Sequence, residues 1–382
     1  MTEPRNGYEY LKQLAEKKEA AMHSYEDYFK YLDGKARIQG VPIHGQFELT
    51  PLCNFNCRMC YVHLTKEQML KRPLLTVEQW KDIIHQAWEA GMLRATLTGG
   101  ECLTYPGFKE IYLYLQSLGC EVSVLTNGYL IDKEWIEFFQ KNKPVEMQIT
   151  LYGQNEEVYE RVTGIRGFAK VTENVKKLLE AGLHVNLSIT PSKYLGEDVF
   201  ETIKFGESLG THITVNNFLM TPRNETGRSR QKHDQHIDFY VRLWRFLDEK
   251  GEEQIQSIPK ENLPPIGGNL HECNECGLQC GGGRSSFNID WKGYMYPCNQ
   301  LNMVESFPLQ SSFSEAWKQI NQAVEAWPRV PECEGCAYAS VCTKCAARMI
   351  QYVNPGKQPV PMCEETRYLV QHGAWHIPDC DK

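Results

Sequence analysis

The sequence predicts an α/β protein, a partial TIM-like (β/α)6 barrel followed by a cysteine-rich C-terminal domain. Three observations carry this. Between residues 46 and 262, short apolar strand patterns alternate with amphipathic helical patterns about six times, as in parallel sheets covered by helices. Ten of the 15 cysteines fall after residue 272, and none lies between 121 and 272. A Pro/Gly stretch, Leu263–Gly268 (LPPIGG), separates the two regimes and reads as a boundary. The expected division is a helical N-terminal extension over 1–45, a barrel over 46–262 and a cysteine-rich domain over 263–382.

The elements follow in order. FELT (47–50) reads as a short strand. TVEQWKDIIHQAWEAGM (76–92) reads as a helix opened by a capping box, with Thr76 as N-cap, Gln79 three residues on and Gly91 at its end. RATLTGG (94–100) is a strand and FKEIYLYLQSLG (108–119) a helix. CEVSVLTNG (120–128) is a strand and DKEWIEFFQKN (132–142) a helix. VEMQITLYG (145–153), HVNLSITPS (184–192) and HITVNNFLM (212–220) are further strands. In a barrel of this kind, function sits at the strands' C-terminal ends. The region after 266 is rich in Gly, Cys and Pro, with one hairpin candidate, SSFNIDWKGYMYPC. Metal would have to replace a core there.

Composition excludes several classes. A net charge of −7 gives no signal for nucleic acid or anionic membranes. No apolar run approaches the ~18 residues of a membrane span. The polar N-terminus lacks the apolar stretch of a signal peptide. A cytoplasmic protein is expected, and there thiols stay reduced. An odd number of thiols in that compartment points to metal, either zinc or iron–sulfur centres.

The first metal candidate is Cys53, Cys57 and Cys60, spaced C-x3-C-x2-C directly after the first strand. Three thiolates can wrap one small cluster and leave one iron of a [4Fe–4S] cube open to a ligand. A zinc site or three buried thiols is the plainer alternative. The second strand ends in Gly99, Gly100 and Glu101 (LTGGECL), 39 residues after Cys60. Glycines permit close backbone approach, and a glutamate can pair with an ammonium group. The cysteine spacing, with apolar Met59 before the last cysteine, together with this GGE resembles the signature of the radical S-adenosylmethionine (SAM) superfamily. The resemblance implies a SAM-binding [4Fe–4S] cluster and reductive cleavage of SAM to a 5′-deoxyadenosyl radical, with the protein orienting the cofactor. It places Gly99, Gly100 and Glu101 at SAM's amino group. Thr126, Asn127, Thr150 and Ser188 fall where the family makes polar contacts to SAM, although each fits a strand-end turn equally well. Arg223 and Arg228 could meet a carboxylate or lie in a solvated loop. Cys102, next to Glu101, is either a hydrogen-atom donor or a plain loop residue.

The later cysteines read Cys280-x12-Gly293-x4-Cys298, then Cys333-x2-Cys336-x5-Cys342-x2-Cys345, then Cys363. This resembles the SPASM domain found on part of the superfamily, except that the last short spacing is x2 rather than x3. A zinc ribbon is the alternative. The resemblance implies two auxiliary [4Fe–4S] clusters. Cys280, Cys298 and Cys345, with Cys276 or Cys273, would hold the first, and Cys333, Cys336, Cys342 and Cys363 the second. All-cysteine ligation implies electron transfer or structure.

The expected chemistry is hydrogen-atom abstraction from a substrate. SPASM enzymes modify ribosomally made peptides, mature sulfatases or act on small alcohols and sugars. Sulfatase-maturing enzymes carry an Asp after the G-x4-C cysteine, where this chain has Asn299. The short N-terminal extension leaves no room for a winged-helix leader-binding domain. Modification of a peptide is therefore favoured, with or without a separate leader-recognition protein. A flavodoxin or ferredoxin is the expected reductant. A small-molecule dehydrogenase or epimerase, a sulfatase maturase and a non-catalytic iron–sulfur carrier are the other readings.

Overall fold

The computed structural model describes residues 25–62, 64, 74–216, 219, 236–248, 280–375 and 377. Within them, eight strands form one sheet in the order β6-β5-β4-β3-β2-β1-β7-β8. Strands β1 (His44–Glu48), β2 (Arg94–Thr98), β3 (Glu121–Thr126), β4 (Glu146–Thr150), β5 (Val185–Ile189) and β6 (His212–Val215) are all parallel. They are the six strands the sequence predicts. The first begins three residues earlier than expected, because His44, Gly45 and Gln46 already pair with β2.

Helices cover one face. After α1 (Tyr25–Gln39) and β1, α2 (Val77–Glu89) buries Trp80, Ile83, Ile84 and Ala87, the i, i+3, i+4, i+7 stripe of an amphipathic helix. Its capping box forms as predicted: Gln79 N donates to Thr76 Oγ1 at 3.2 Å and Thr76 N to Gln79 Oε1 at 2.9 Å. Helices α3 (Phe108–Ser117) and α4 (Lys133–Lys141) follow β2 and β3, the latter capped by Asp132. Two helices, α5 (Glu156–Thr163) and α6 (Phe168–Glu180), fill the β4–β5 connection, and α7 (Asp198–Ser208) precedes β6. Helix α8 (Ile237–Leu247) is the last described element before the C-terminal region.

Strand alternation sorts the side chains. Phe47, Leu97, Val124, Ile149 and Leu187 are fully buried, and Phe47 meets Trp80 of α2 edge-to-face at 6.0 Å. The opposite, inward face carries Gln46, Glu48, Thr96, Thr98, Ser123, Gln148, Thr150 and Ser188. The barrel therefore has an apolar jacket and a polar lining.

The C-terminal region departs from expectation. The predicted hairpin forms as β7 (Ser286–Ile289) and β8 (Met295–Tyr296). However, β7 also pairs in parallel with β1, from His44↔Ser286 to Phe47↔Ile289. Phe287 packs on Phe47 at 5.8 Å and on Phe313 at 5.0 Å. Helix α9 (Phe313–Glu325) lies against α2, where Phe313 N donates to Gln86 Oε1 at 2.8 Å. Trp317 Nε1 donates to Gly40 O at 2.7 Å, and Ser285 Oγ to Asp33 of α1 at 2.7 Å. One hydrophobic cluster thus runs from the barrel through residues 287–324 and on to Ala346, Ala347 and Leu369. The expectation that metal replaces a core in this region is corrected for those residues, and the cysteine-bearing segment among them is sparse in regular structure. There, between 326 and 359, helical structure is limited to a single 3-10 turn and the four-residue α10 (Ala346–Met349), before α11 (Val360–Gln371). The expected boundary at 262/263 lies outside the described residues. Among the described residues, no helix is long and apolar enough to cross a membrane.

Candidate active site

The loop after β1 carries Cys53, Cys57 and Cys60 to the barrel mouth. Asn56 N donates to Thr163 O and Arg58 N to Val162 O, both at 3.1 Å, hanging the loop on the end of α5. On the other side, Gly100 N donates to Thr50 O and Glu101 N to Leu52 O, both at 2.7 Å. A Cβ on Gly99 would lie 2.4 Å from Thr50 O, and one on Gly100 2.5 Å from Leu52 O. Both distances are prohibitively short. The paired glycines thus bring the β2 turn against the backbone of the cysteine loop.

Glu101 is 1% exposed. Its carboxylate accepts from Thr126 Oγ1 at 2.7 Å, Leu103 N at 3.1 Å and Asn127 N at 2.8 Å. Burial raises its pKa, and these donors oppose the rise. In this structure the carboxylate is an internal tie between strand ends rather than a free anion. Asn127 extends the tie: its Nδ2 donates to Asn54 Oδ1 at 2.8 Å and lies 3.7 Å from Cys53 Sγ. Thr150 stands half-buried at the end of β4, and buried Ser188 accepts from Asn216 Nδ2 at 3.2 Å. Cys102 is fully buried; its thiol donates to Leu125 O at 3.2 Å and lies 3.8 Å from Glu101 Oε1. Arg223, Arg228, Cys273 and Cys276 lie outside the described residues.

All twelve described cysteines are free thiols. Burial pushes Cys53 up to about 11 and Cys57 further, and each also feels the charge of Cys60. The three thiols therefore face a common space. Among the described residues, no three Cys, His, Asp or Glu side chains are gathered tightly enough to hold a single ion, so the triangle is a loose one. An aromatic wall backs it. The Phe55 ring lies 6.1 Å from both Tyr152 and Tyr159, which are 5.7 Å apart. The Tyr152 phenol reaches the Cys57 sulfur, and the buried Tyr159 hydroxyl has no hydrogen-bond partner among the described residues. Sequence reasoning missed Asn54, Tyr152 and Tyr159. The only signals were an asparagine beside Cys53 and an aromatic at the end of β4.

The C-terminal cysteines divide into two groups. Burial raises Cys298 to about 11, with the charges of Cys345 and Cys280 adding to it. Cys345 is raised by burial and by Cys280. These three form one group. Burial also takes Cys363 to about 11, with Cys342 and Cys336 contributing, and a cavity is lined by Cys333, Cys336, Cys342 and Cys363 together. Neighbours Cys342 and Cys345 thus belong to different groups, across a link one residue shorter than the resemblance implies. Lys344 lies between them at φ 43°, the one positive φ among described non-glycine residues. A left-handed residue reverses the chain abruptly, so a two-residue link can aim the two sulfurs apart. We expect Cys342→Ala and Cys345→Ala to remove separate metal groups, each lowering iron by about four per chain. Iron analysis with electron paramagnetic resonance (EPR) would show two different spectra missing. A single shared loss in both variants would refute the division.

The comparisons agree with this geometry. The family model described as the radical SAM superfamily matches residues 47–206, which span the three-cysteine loop and the GGE turn. That stretch is a radical SAM domain. With it the chain is an enzyme, and the domain implies a [4Fe–4S] cluster and SAM. The chain is 26% identical to the antilisterial bacteriocin subtilosin biosynthesis protein AlbA of Bacillus subtilis, over 73% of this chain but 59% of AlbA. It is also 26% identical to the AdoMet-dependent heme synthase of Methanosarcina barkeri, over 83% of this chain and 95% of that protein. Streptococcus suis SuiB shares the fold. SuiB bound to S-adenosylmethionine superposes with TM-score 0.65 at 16% identity, covering 93% of this chain and 86% of SuiB. SuiB bound to the precursor peptide SuiA gives 0.64 at 16% identity, over 88% and 81%.

Proposed function

We propose that this radical SAM enzyme modifies a ribosomally made peptide, crosslinking or oxidising it. The observation that carries the reading is the division of the cysteines: three at the barrel mouth and two further groups behind it. Three thiols suit a cube with one open iron. Cys53, Cys57 and Cys60 would hold the SAM cluster. The edge formed by Gly99, Gly100 and Glu101, with Thr126, Asn127, Thr150 and Ser188, would hold SAM. When bound, these groups supply a 5′-deoxyadenosyl radical that takes a hydrogen atom from the substrate.

The chain's own residues do the rest. Glu101 ties the ends of β2 and β3 together at the site, and Phe55, Tyr152 and Tyr159 shield the cluster side from water. The polar lining offers hydrogen bonds to a peptide backbone. Cys280, Cys298 and Cys345, completed by Cys276 or Cys273, would hold one auxiliary [4Fe–4S] cluster, and Cys333, Cys336, Cys342 and Cys363 a second. AlbA's part in bacteriocin biosynthesis and SuiB's complex with a precursor peptide support a peptide substrate. The reading extends to cytoplasmic location, a flavodoxin- or ferredoxin-type reductant and a separate leader-recognition protein. A small-molecule substrate is the second reading, favoured by the match to nearly the whole of the heme synthase.

The test is anaerobic incubation of the reconstituted chain with SAM, a low-potential reductant and precursor peptides encoded beside its gene. Mass spectrometry should find 5′-deoxyadenosine together with a peptide that has lost hydrogen. Formation of heme from a porphyrin precursor instead, with every peptide unchanged, would establish the second reading.

A further inference from the structure

One hydrogen bond joins two cysteine loops that are 238 positions apart in sequence. Asn299 Nδ2 donates to the Tyr61 hydroxyl at 3.1 Å, partly buried. Tyr61 directly follows Cys60, and Asn299 directly follows Cys298. The near end of the first loop is already fixed, by α5 carbonyls at Asn56 and Arg58 and by the glycine turn at Thr50 and Leu52. Its far end closes on a local bond, Cys60 N to Cys57 O at 3.1 Å, and then reaches across the barrel mouth through Tyr61.

The second loop is equally braced on its own side. The Cys298 sulfur accepts from Gln300 N and Leu301 N, and Leu301 N also donates to Cys298 O at 3.3 Å. The loop springs from β8, which pairs with β7 and through it with β1. Each loop is thus rigid where it leaves the sheet. The Tyr61–Asn299 bond joins them one residue beyond Cys60 and one residue beyond Cys298.

We propose that Tyr61 and Asn299 are a positioning pair that fixes the separation between the group held at Cys53, Cys57 and Cys60 and the group held at Cys298. The proposal rests on the iron–sulfur reading above. The pair acts through the two cysteines it follows, Cys60 and Cys298. Its chemistry is specific: a phenol oxygen accepts from an amide. Phenylalanine at 61 keeps the ring and loses the acceptor. Aspartate at 299 restores the bond in reverse, because the phenol then donates to the carboxylate.

The test uses the full chain reconstituted anaerobically, as wild type, Tyr61→Phe, Asn299→Ala and Asn299→Asp. Iron and sulfide should stay at the wild-type level in all four. In the dithionite-reduced protein, the spin–spin interaction between the two clusters should be sharp in wild type and Asn299→Asp. It should broaden or weaken in Tyr61→Phe and Asn299→Ala. The ratio of modified substrate to 5′-deoxyadenosine should fall about tenfold in the same two variants, short of the ~100-fold that a 1 Å misplacement can cost. An unchanged spin–spin interaction in both variants would overturn the proposal. So would loss of iron, which would make the pair part of site assembly rather than spacing. A wild-type chain that binds no iron would instead fail the underlying reading, before any variant is compared.

Discussion

Cys57→Ala is expected to lower bound iron by about four per chain and to abolish 5′-deoxyadenosine formation. A cube held by three thiolates already leaves one iron without a protein ligand, so removing a second corner leaves too few bonds to retain it. Cys57 is the middle thiol, beside the Tyr152 phenol and under the Phe55–Tyr159 wall. No other described cysteine can replace it: Cys102 is fully buried and donates to the Leu125 carbonyl. The fold should survive, because the side chain lost is small and only half-buried. Far-ultraviolet circular dichroism and iron analysis together would check this. A variant that keeps its full iron and still cleaves SAM would remove Cys57 from the cluster.

Glu101→Ala is expected to act by a different route, on the scaffold. Its carboxylate ties together Thr126 Oγ1, Leu103 N and Asn127 N at 2.7–3.1 Å in a buried setting. Deleting it strands three donors, at about 1 kcal/mol or more each, so a loss of about 3 kcal/mol is expected. Asn127 is also released, and with it the contacts to Asn54 and Cys53. SAM affinity should therefore fall at least about tenfold, since ~1.4 kcal/mol suffices for that. Glu101→Gln should be milder, because one oxygen remains to accept from Thr126 and Leu103. Urea unfolding and SAM titration measure the two effects. An alanine variant that unfolds at the wild-type midpoint and binds SAM normally would show that the tie is dispensable.

Much of this architecture was legible because it follows from periodicity. Thr76 and Gln79 announced α2, and the 2.0-residue alternation of EVSVLT and EMQIT announced β3 and β4. The clustering of the cysteines was legible from spacing alone. What stayed hidden depends on partners distant in sequence. Nothing in SFNI (286–289) distinguishes a local hairpin strand from one that also borders β1. The inward turn of Glu101 needed Thr126 and Asn127 in place, 25 and 26 residues on. The glycines before it read as access for a ligand, and the close approach they permit is to Thr50 and Leu52. The left-handed Lys344 carries no compositional mark, since lysine rarely adopts that geometry. Of the two helices after β4, the ending EAGL (180–183) marked only α6, and α5 escaped notice because the charged stretch between strands has no single clear start.

The pairing of β7 with β1 also bears on how the chain is made. During synthesis the first strand emerges early, but the strand that covers its outer edge follows only after more than two hundred further residues. Until then, the nascent barrel presents an open row of amide and carbonyl groups beside Phe47, the kind of edge that invites pairing with another chain. Contacts this remote in sequence also slow folding. Truncation before Ser286 would make the exposure permanent. The barrel should therefore aggregate when expressed without its C-terminal quarter, whatever iron is supplied, and loss of solubility rather than loss of turnover would be the first symptom.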